Sequence, residues 1–455
     1  MAEIIETSHA GTDRMLEVYE RFVGLETRIA AHRLTIGGVH VWSAARSEIF
    51  RKVLTATATT TDFHNIDLAY GGGRARLLKN LALRNPFLAG RADTVIFRWE
   101  RRHGTEGDPI SNAVASSLGG QERLIQIEAR GNPAEGPGRY SIDAVAILAK
   151  LVARRLDLRP TEAERKAMAA AEAAVRDEFG VDVALLGFLS AYAVRFESRA
   201  RVFTQLFRRL GTRRVFIVVA YSFPDIIEGA HRAGAHVVEL QHGLMFRSHT
   251  GYDFPDSQDV QYRPDEIWLF GDHWRTAARH DPRTKLTVFG APHIRARIAA
   301  AANRTGDRHG LIVLSQPAVT GQLSRFAIEL ASLPGTPHIL YRLHPNESAD
   351  AVREAARLSG LGPDRFEVSI GGGGTRTMEL QAAHRYQLGV FSTAVVEGLA
   401  LGCETMILGI PGWSALQSLV DDGLAKLVVT PEQAAAAMTG PPSAAAVVEA
   451  DRFFA

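Results

Sequence analysis

RVFIVVAYS (214–222), FPDIIEGAHRAG (223–234) and AHVVELQHG (235–243) follow one another without interruption, and this succession decides the fold. The first segment is a short apolar run rich in β-branched residues, the pattern of a strand covered on both faces. In the second, Pro224 opens a helical pattern that Gly234 stops. The third returns to an apolar run and ends in the polar triplet Gln241-His242-Gly243. Strand, helix and strand over about 30 residues make a βαβ unit, whose strands run parallel.

Downstream the alternation continues. DEIWLFGDHW (265–274) and KLTVFGAPH (285–293) extend the first series. At 293–309 a helical run passes into a polar, Gly-containing stretch, the composition of a domain junction. A second series follows in GLIVLSQ (310–316), HILYRLHP (338–345), FEVSI (366–370), YQLGVFS (386–392) and ETMILGI (404–410), with helical segments between them. The expected architecture is α/β, with two Rossmann-like doubly wound domains facing a cleft, an N-terminal domain over 1–300 and a C-terminal domain over 301–455. Upstream, 12–31 has helical spacing, DTVIFR (93–98) reads as a strand, and 151–210 as two or more helices. The alanine-rich tail reads as helix, Gly-Pro-Pro break and helix.

Composition narrows the function. Hydrophobic residues make up 46% and charged residues 22% of the 455, the balance of a folded chain of two or three domains. The 52 basic and 50 acidic side chains nearly cancel, which gives no reason to expect a nucleic-acid partner. Cys403 is the single cysteine, so no internal disulfide or multi-cysteine zinc site can form. Its place at a helix-to-strand turn suits packing rather than reactivity. The opening residues lack the basic start and apolar core of a signal peptide. No apolar run reaches the ~20 residues of a membrane span. The chain is expected to be cytoplasmic, with surface contact at the inner face of a membrane still open to it.

In open α/β sheets ligands sit beyond the carboxyl ends of the strands, so polar residues after apolar runs are the candidates. His242 stands at one such mouth, where an imidazole can take or give a proton, and Gly243 permits close approach of a ligand. Arg342 and His344 leave another strand together, a guanidinium and an imidazole suited to phosphate, with Pro345 pinning the chain. Ser392 and Thr393 open a helix whose free N–H groups favour an anion, and Glu397 lies where it could reach ribose hydroxyls. As an N-cap alone, Ser-Thr would carry no function. The glycine runs at 370–377 and near Gly37 lack a Walker lysine and read as flexible loops. His273, His280, His293 and His309 lack zinc spacing, and Asp256 and Asp259 read as solvated loop carboxylates.

Taken in order, Gln-His-Gly (241–243), Phe-Gly (270–271), Gly-Ala-Pro (290–292), Arg-x-His-Pro (342–345) and Ser-Thr with Glu397 resemble the bacterial capsule and teichoic-acid glycosyltransferases of GT-B fold. These include polysialyltransferase-like and CDP-glycerol glycerophosphotransferase-like enzymes, the latter with Trp where this chain has Gln241. The resemblance covers roughly 214–412. It implies a CMP-, CDP- or UDP-linked donor held by the C-terminal domain and a glycan or lipid-linked acceptor on the N-terminal side. By the same resemblance, His344, Ser392 and Thr393 would bind donor phosphate with Arg342, and Glu397 the ribose. His242 would be general base, and no metal or cofactor is required. An epimerase or hydrolase acting on nucleotide sugars, or a non-catalytic nucleotide- or glycan-binding relative, are the competing readings.

Overall fold

The computed structural model describes residues 13–57, 73–99, 108–119, 123–129, 136–254, 259–302, 308–344, 347–370, 374–439 and 450–455. A small antiparallel hairpin comes first, β1 (Thr35–Ile36) and β2 (Val39–His40). Gly37 and Gly38 both have positive φ, 58° and 83°, as a two-residue hairpin turn demands. The glycine pair expected to be a flexible loop is therefore a defined turn.

The first large sheet contains β3 (Thr94–Arg98), β4 (Leu124–Glu128), β5 (Arg139–Ser141), β6 (Arg214–Val218), β7 (His236–Leu240), β8 (Glu266–Leu269) and β9 (Lys285–Val288). Their spatial order is β5-β4-β3-β6-β7-β8-β9, and every pairing is parallel. The second sheet holds β10 (Leu311–Leu314), β11 (Ile339–Arg342), β12 (Phe366–Ser369), β13 (Tyr386–Gly389), β14 (Glu404–Leu408) and β15 (Ala425–Val428). Its order is β12-β11-β10-β13-β14-β15, again all parallel. Each sheet runs outward from its first strand, then resumes on that strand's other side. This is the doubly wound order, with switch points between β3 and β6 and between β10 and β13.

The sheets do not stand apart. Ile96, Phe216 and Leu240 of the first and Ile312, Leu340 and Ile407 of the second belong to one continuous apolar cluster. The tail joins the first sheet: Trp274 Nε1 donates to the Phe453 carbonyl at 2.9 Å and Ala291 N to the Ala455 carbonyl at 3.0 Å. Gly271 and Gly290 make that seat, because a Cβ at Gly290 would lie 2.3 Å from the Ala455 oxygen. Cys403 is buried, and burial pushes its thiol up to about 11, as expected of a packed residue.

A helical layer flanks the first sheet. Helices Arg14–Arg28, Val41–Ala56, Glu162–Phe179 and Leu185–Leu210 share their own core around Tyr19, Phe22, Trp42, Leu189 and Phe196. Within it lies a buried ion pair, Arg46 with Glu26 at 2.8 Å. Asp13 caps the first helix and also reaches the second sheet, accepting from Gly412 N, Ser414 N and Ser414 Oγ.

Candidate active site

The loop after β7 is shaped by its own residues. Gln241 accepts from Phe270 N at 2.7 Å and donates to the Gly243 carbonyl at 2.9 Å. That clamp fixes the turn carrying His242, which is half-buried. His242 Nδ1 lies 3.1 Å from the Tyr252 hydroxyl, and Nε2 lies 3.5 Å from the Tyr221 hydroxyl. Tyr252 in turn donates to Glu239 Oε1 at 2.8 Å. The same oxygen accepts the Ala220 N–H at 3.1 Å. Val219 sits in the left-handed region (φ 62°), a costly conformation for a β-branched residue, and it turns that N–H toward Glu239.

Glu239 is 1% exposed, and burial pushes its carboxyl up to about 8 against the opposing pull of its two donors. A carboxyl that binds its proton more tightly folded than unfolded destabilises the fold as pH rises between those two values. The stability of Glu239→Gln minus that of wild type is thus expected to grow from pH 5 to pH 8.5. Urea midpoints at the two pH values measure it, and a constant difference would refute the assignment.

Tyr252 is mounted from the helical layer. Arg46 Nη1 donates to the Thr250 and Asp253 carbonyls at 2.7 and 2.9 Å. Asp253, fully buried, receives the Tyr19 hydroxyl at 2.9 Å and the Arg279 guanidinium. His249, stacked on Tyr252 with ring centroids 4.6 Å apart, is held neutral because burial brings it down to about 4. A cavity of about 50 Å³ adjoins Glu239, Tyr221 and Tyr252 on the side of the helical layer.

In the second sheet the switch point is closed by Gln316, which exchanges hydrogen bonds with the Phe391 backbone at 2.8 and 3.2 Å. Ser392 follows and caps helix Thr393–Ala400, accepting from Ala394 N at 3.2 Å. Two fully buried amides seat that helix. Gln381 donates to the Ala394 carbonyl and Gln387 to the Val395 carbonyl, each at 2.7 Å. Gly398 is needed there, since a Cβ would lie 2.0 Å from Gln387 Oε1. Glu397 is half-buried on the same helix.

His344 follows β11. Its N–H donates to Glu347 Oε2 at 2.6 Å, and Glu347 Oε1 takes the Ser315 hydroxyl at 2.7 Å and the Thr320 hydroxyl. Glu347 thus holds the His344 loop against the end of β10. Arg342 is buried and turns toward β12, donating to Ser369 Oγ at 3.0 Å and the Ile370 carbonyl at 2.7 Å. It braces the loop before the glycine run as well as lining the sheet's end. Pro345 and Gly371–Gly373 lie outside the described residues.

The two units meet at these motifs. A Cβ built on Gly243 would lie 3.5 Å from Thr393 Oγ1, so the His242 loop faces the helix opened by Ser392 and Thr393. Gly412 abuts the Phe391 ring beside them, within a loop fastened by Asp13. Gln241, His242, Gly243, Ser392 and Thr393 are therefore neighbours. Arg342 ends β11 and His344 follows it, two strands from β13 across β10 and at the same sheet end. Sequence reasoning missed Glu239, Tyr252 and Glu347. Asp259 pairs with Arg283 at 3.0 Å, and Asp256 lies outside the described residues. Among the described residues there is no group of three or more His, Cys, Asp or Glu placed to hold a metal ion. No described helix is long and apolar enough to cross a membrane.

No family model matches the chain. No curated protein matches it either. Solved structures similar to it include a UDP-GlcNAc 2-epimerase from Methanocaldococcus jannaschii (11% identity, 77% of this chain and 93% of that one, TM-score 0.44). Acinetobacter baumannii MurG is similar at 12% identity, over 76% and 90% of the two chains, with TM-score 0.44. Phytolacca americana UGT2, complexed with UDP-2-fluoro-glucose and pterostilbene, is similar at 8% identity over 80% and 93%, with TM-score 0.42. At these scores the fold assignment rests on the two strand orders and not on the likenesses.

Proposed function

We propose that the protein is a metal-independent glycosyltransferase of GT-B type, moving a sugar or polyol phosphate from a CMP-, CDP- or UDP-linked donor to a cell-envelope glycan or lipid-linked acceptor. The observation that carries it is the approach of the His242 loop to the Ser392–Thr393 helix N-terminus, which this reading takes as a base set opposite an anion site. We divide the chain at 300/301, with the acceptor on the first unit and the donor on the second.

In this scheme His242 Nε2 removes the acceptor hydroxyl's proton as that oxygen attacks the anomeric carbon or phosphorus. The bond from the reacting centre to the nucleotide's phosphate oxygen breaks, and the departing anion meets the Ser392–Thr393 helix terminus and His344. Arg342 supports the phosphate side from β11, and Glu397 takes the ribose.

The test is a thermal-shift panel of CMP, CDP, UDP, GDP and their sugar conjugates. A ligand at 100 times its dissociation constant stabilises the native state by about 2.7 kcal/mol. A shift with one nucleotide, lost in His344→Ala, is expected. No shift with any would overturn the donor assignment. An epimerase or hydrolase would consume the conjugate without acceptor.

Peripheral membrane contact belongs to the same proposal. Leu148 and Leu151 are exposed on helix Asp143–Ala153, beside the exposed Lys150, Arg154 and Arg155. Helix Arg74–Leu83, packed against it, exposes Leu78 and Leu83 and bears no acidic residue. Apolar side chains among cations suit an anionic bilayer surface. Co-sedimentation with phosphatidylglycerol vesicles, weakened by salt and by Leu148→Asp with Leu151→Asp, is the expected result. Equal pelleting with phosphatidylcholine, or none, would rule it out.

A further inference from the structure

Behind His242 stand two groups that the transfer scheme does not use. Glu239 is a carboxyl enclosed in the first sheet, and Tyr252 is a fully buried phenol between it and the imidazole. Buried polar groups at this depth require partners, and here each group's partners dictate the direction of the next hydrogen bond.

The direction follows from counting protons. Glu239 Oε1 already accepts the Ala220 N–H, which marks it as a bare acceptor oxygen whether or not the carboxyl carries a proton on Oε2. Tyr252 has one hydroxyl proton and gives it to that oxygen at 2.8 Å. Its oxygen then faces His242 Nδ1, 3.1 Å away, only as an acceptor. A neutral imidazole meeting an acceptor at Nδ1 must carry its proton there, which leaves Nε2 bare. Nε2 is the nitrogen on the Tyr221 side of the ring.

We propose that Glu239 and Tyr252 are positioning residues that lock His242 in the Nδ1–H tautomer and so present Nε2 as the proton acceptor of the transfer step. This rests on the reading of His242 as base for its catalytic meaning, though not for the tautomer itself. When Nε2 takes the acceptor's proton, the imidazolium's Nδ1–H stays on the Tyr252 oxygen, and Tyr252 stays on Glu239. No proton leaves the assembly, and the charge formed on the ring is met by two aligned dipoles. The strained Val219 backbone and the Arg46–Asp253 mount serve this arrangement, the first aiming Ala220 N–H and the second holding the Tyr252 loop.

The experiment uses the full chain labelled with [15N]histidine, with nitrogen spectra taken above the imidazole titration. His242 is identified as the signal missing in His242→Asn. Wild type is expected to show a protonated Nδ1 and a bare Nε2. Tyr252→Phe and Glu239→Leu are expected to move the proton to Nε2, the second because Tyr252 then turns its own proton onto Nδ1. Glu239→Gln keeps an acceptor oxygen and should retain the wild-type tautomer, a rescue that a merely structural role would not predict. A wild-type spectrum with the proton on Nε2, or a Tyr252→Phe spectrum unchanged from wild type, would overturn the proposal. If Glu239→Leu does not fold, wild type and Tyr252→Phe still decide. No donor is needed, so an absent nucleotide shift beside the expected tautomer would sink the transferase reading and leave the tautomer assignment standing.

Discussion

His242→Ala is expected to lower turnover by about 10²–10⁴-fold, the usual contribution of a positioned general base, while nucleotide affinity stays at the wild-type level. The split follows from where the groups stand. His242 lies in the loop after β7 of the first sheet, whereas the helix capped by Ser392 and the His344 loop both belong to the second. Loss of the imidazole removes a proton acceptor without touching the amide cradle that seats helix Thr393–Ala400. His344→Ala should give the converse, weaker nucleotide binding measured by calorimetry. A His242→Ala enzyme that transfers at the wild-type rate would mean that another group takes the proton.

Much of the fold could be read because the inner strands of both sheets are covered on both faces. LIVL is apolar throughout and RVFIV is apolar after Arg214, so each announces a buried parallel strand without help from its neighbours. The strands that escaped the reading are those whose sequence is mixed or short. β5 has only three residues, β4 reads LIQIE, and β15 reads AKLV with its lysine exposed. In each the evidence for a strand is the partner beside it. The polar motifs at the strand ends were legible for the same reason: an apolar run that stops abruptly marks the mouth of the sheet.

The supporting residues were harder, in different degrees. Glu239 carried a signal, a lone carboxylate inside VVEL, since charged residues are rarely buried without a purpose. Glu347, three residues past His344, could have been suspected as a loop clamp. Tyr252 could not, because nothing in the long loop between β7 and β8 says which ring returns to the sheet. Asp13 was readable as a helix cap, yet its bonds to Gly412 and Ser414 join residues about 400 positions apart, beyond any local pattern. Arg342 shows the limit most plainly. Its strand position was foreseen, but its guanidinium braces Ser369 at the end of β12 and Ile370 just beyond it, a choice made by tertiary neighbours.

Arg46→Ala is expected to cost about 3–5 kcal/mol of stability, the range for removing one partner of a buried ion pair. Burial opposes the guanidinium's charge, and the Glu26 carboxylate beside it more than restores it. Without the arginine, Glu26 keeps the Trp42 Nε1 donor at 2.8 Å but loses its bidentate partner while remaining 1% exposed. The Thr250 and Asp253 carbonyls lose their donor in the same step. Arg46→Lys should recover little, because one ammonium cannot serve a carboxylate and two carbonyls in the arginine's planar geometry. Arg46→Met with Glu26→Gln should be milder than Arg46→Ala alone, since no buried charge is then stranded. Urea unfolding measures all three variants. Because the lost bonds hold the loop that carries Tyr252, native Arg46→Lys should also show a less uniform His242 tautomer. A stability change below 1 kcal/mol for Arg46→Ala would mean that the helical layer does not mount the Tyr252 loop.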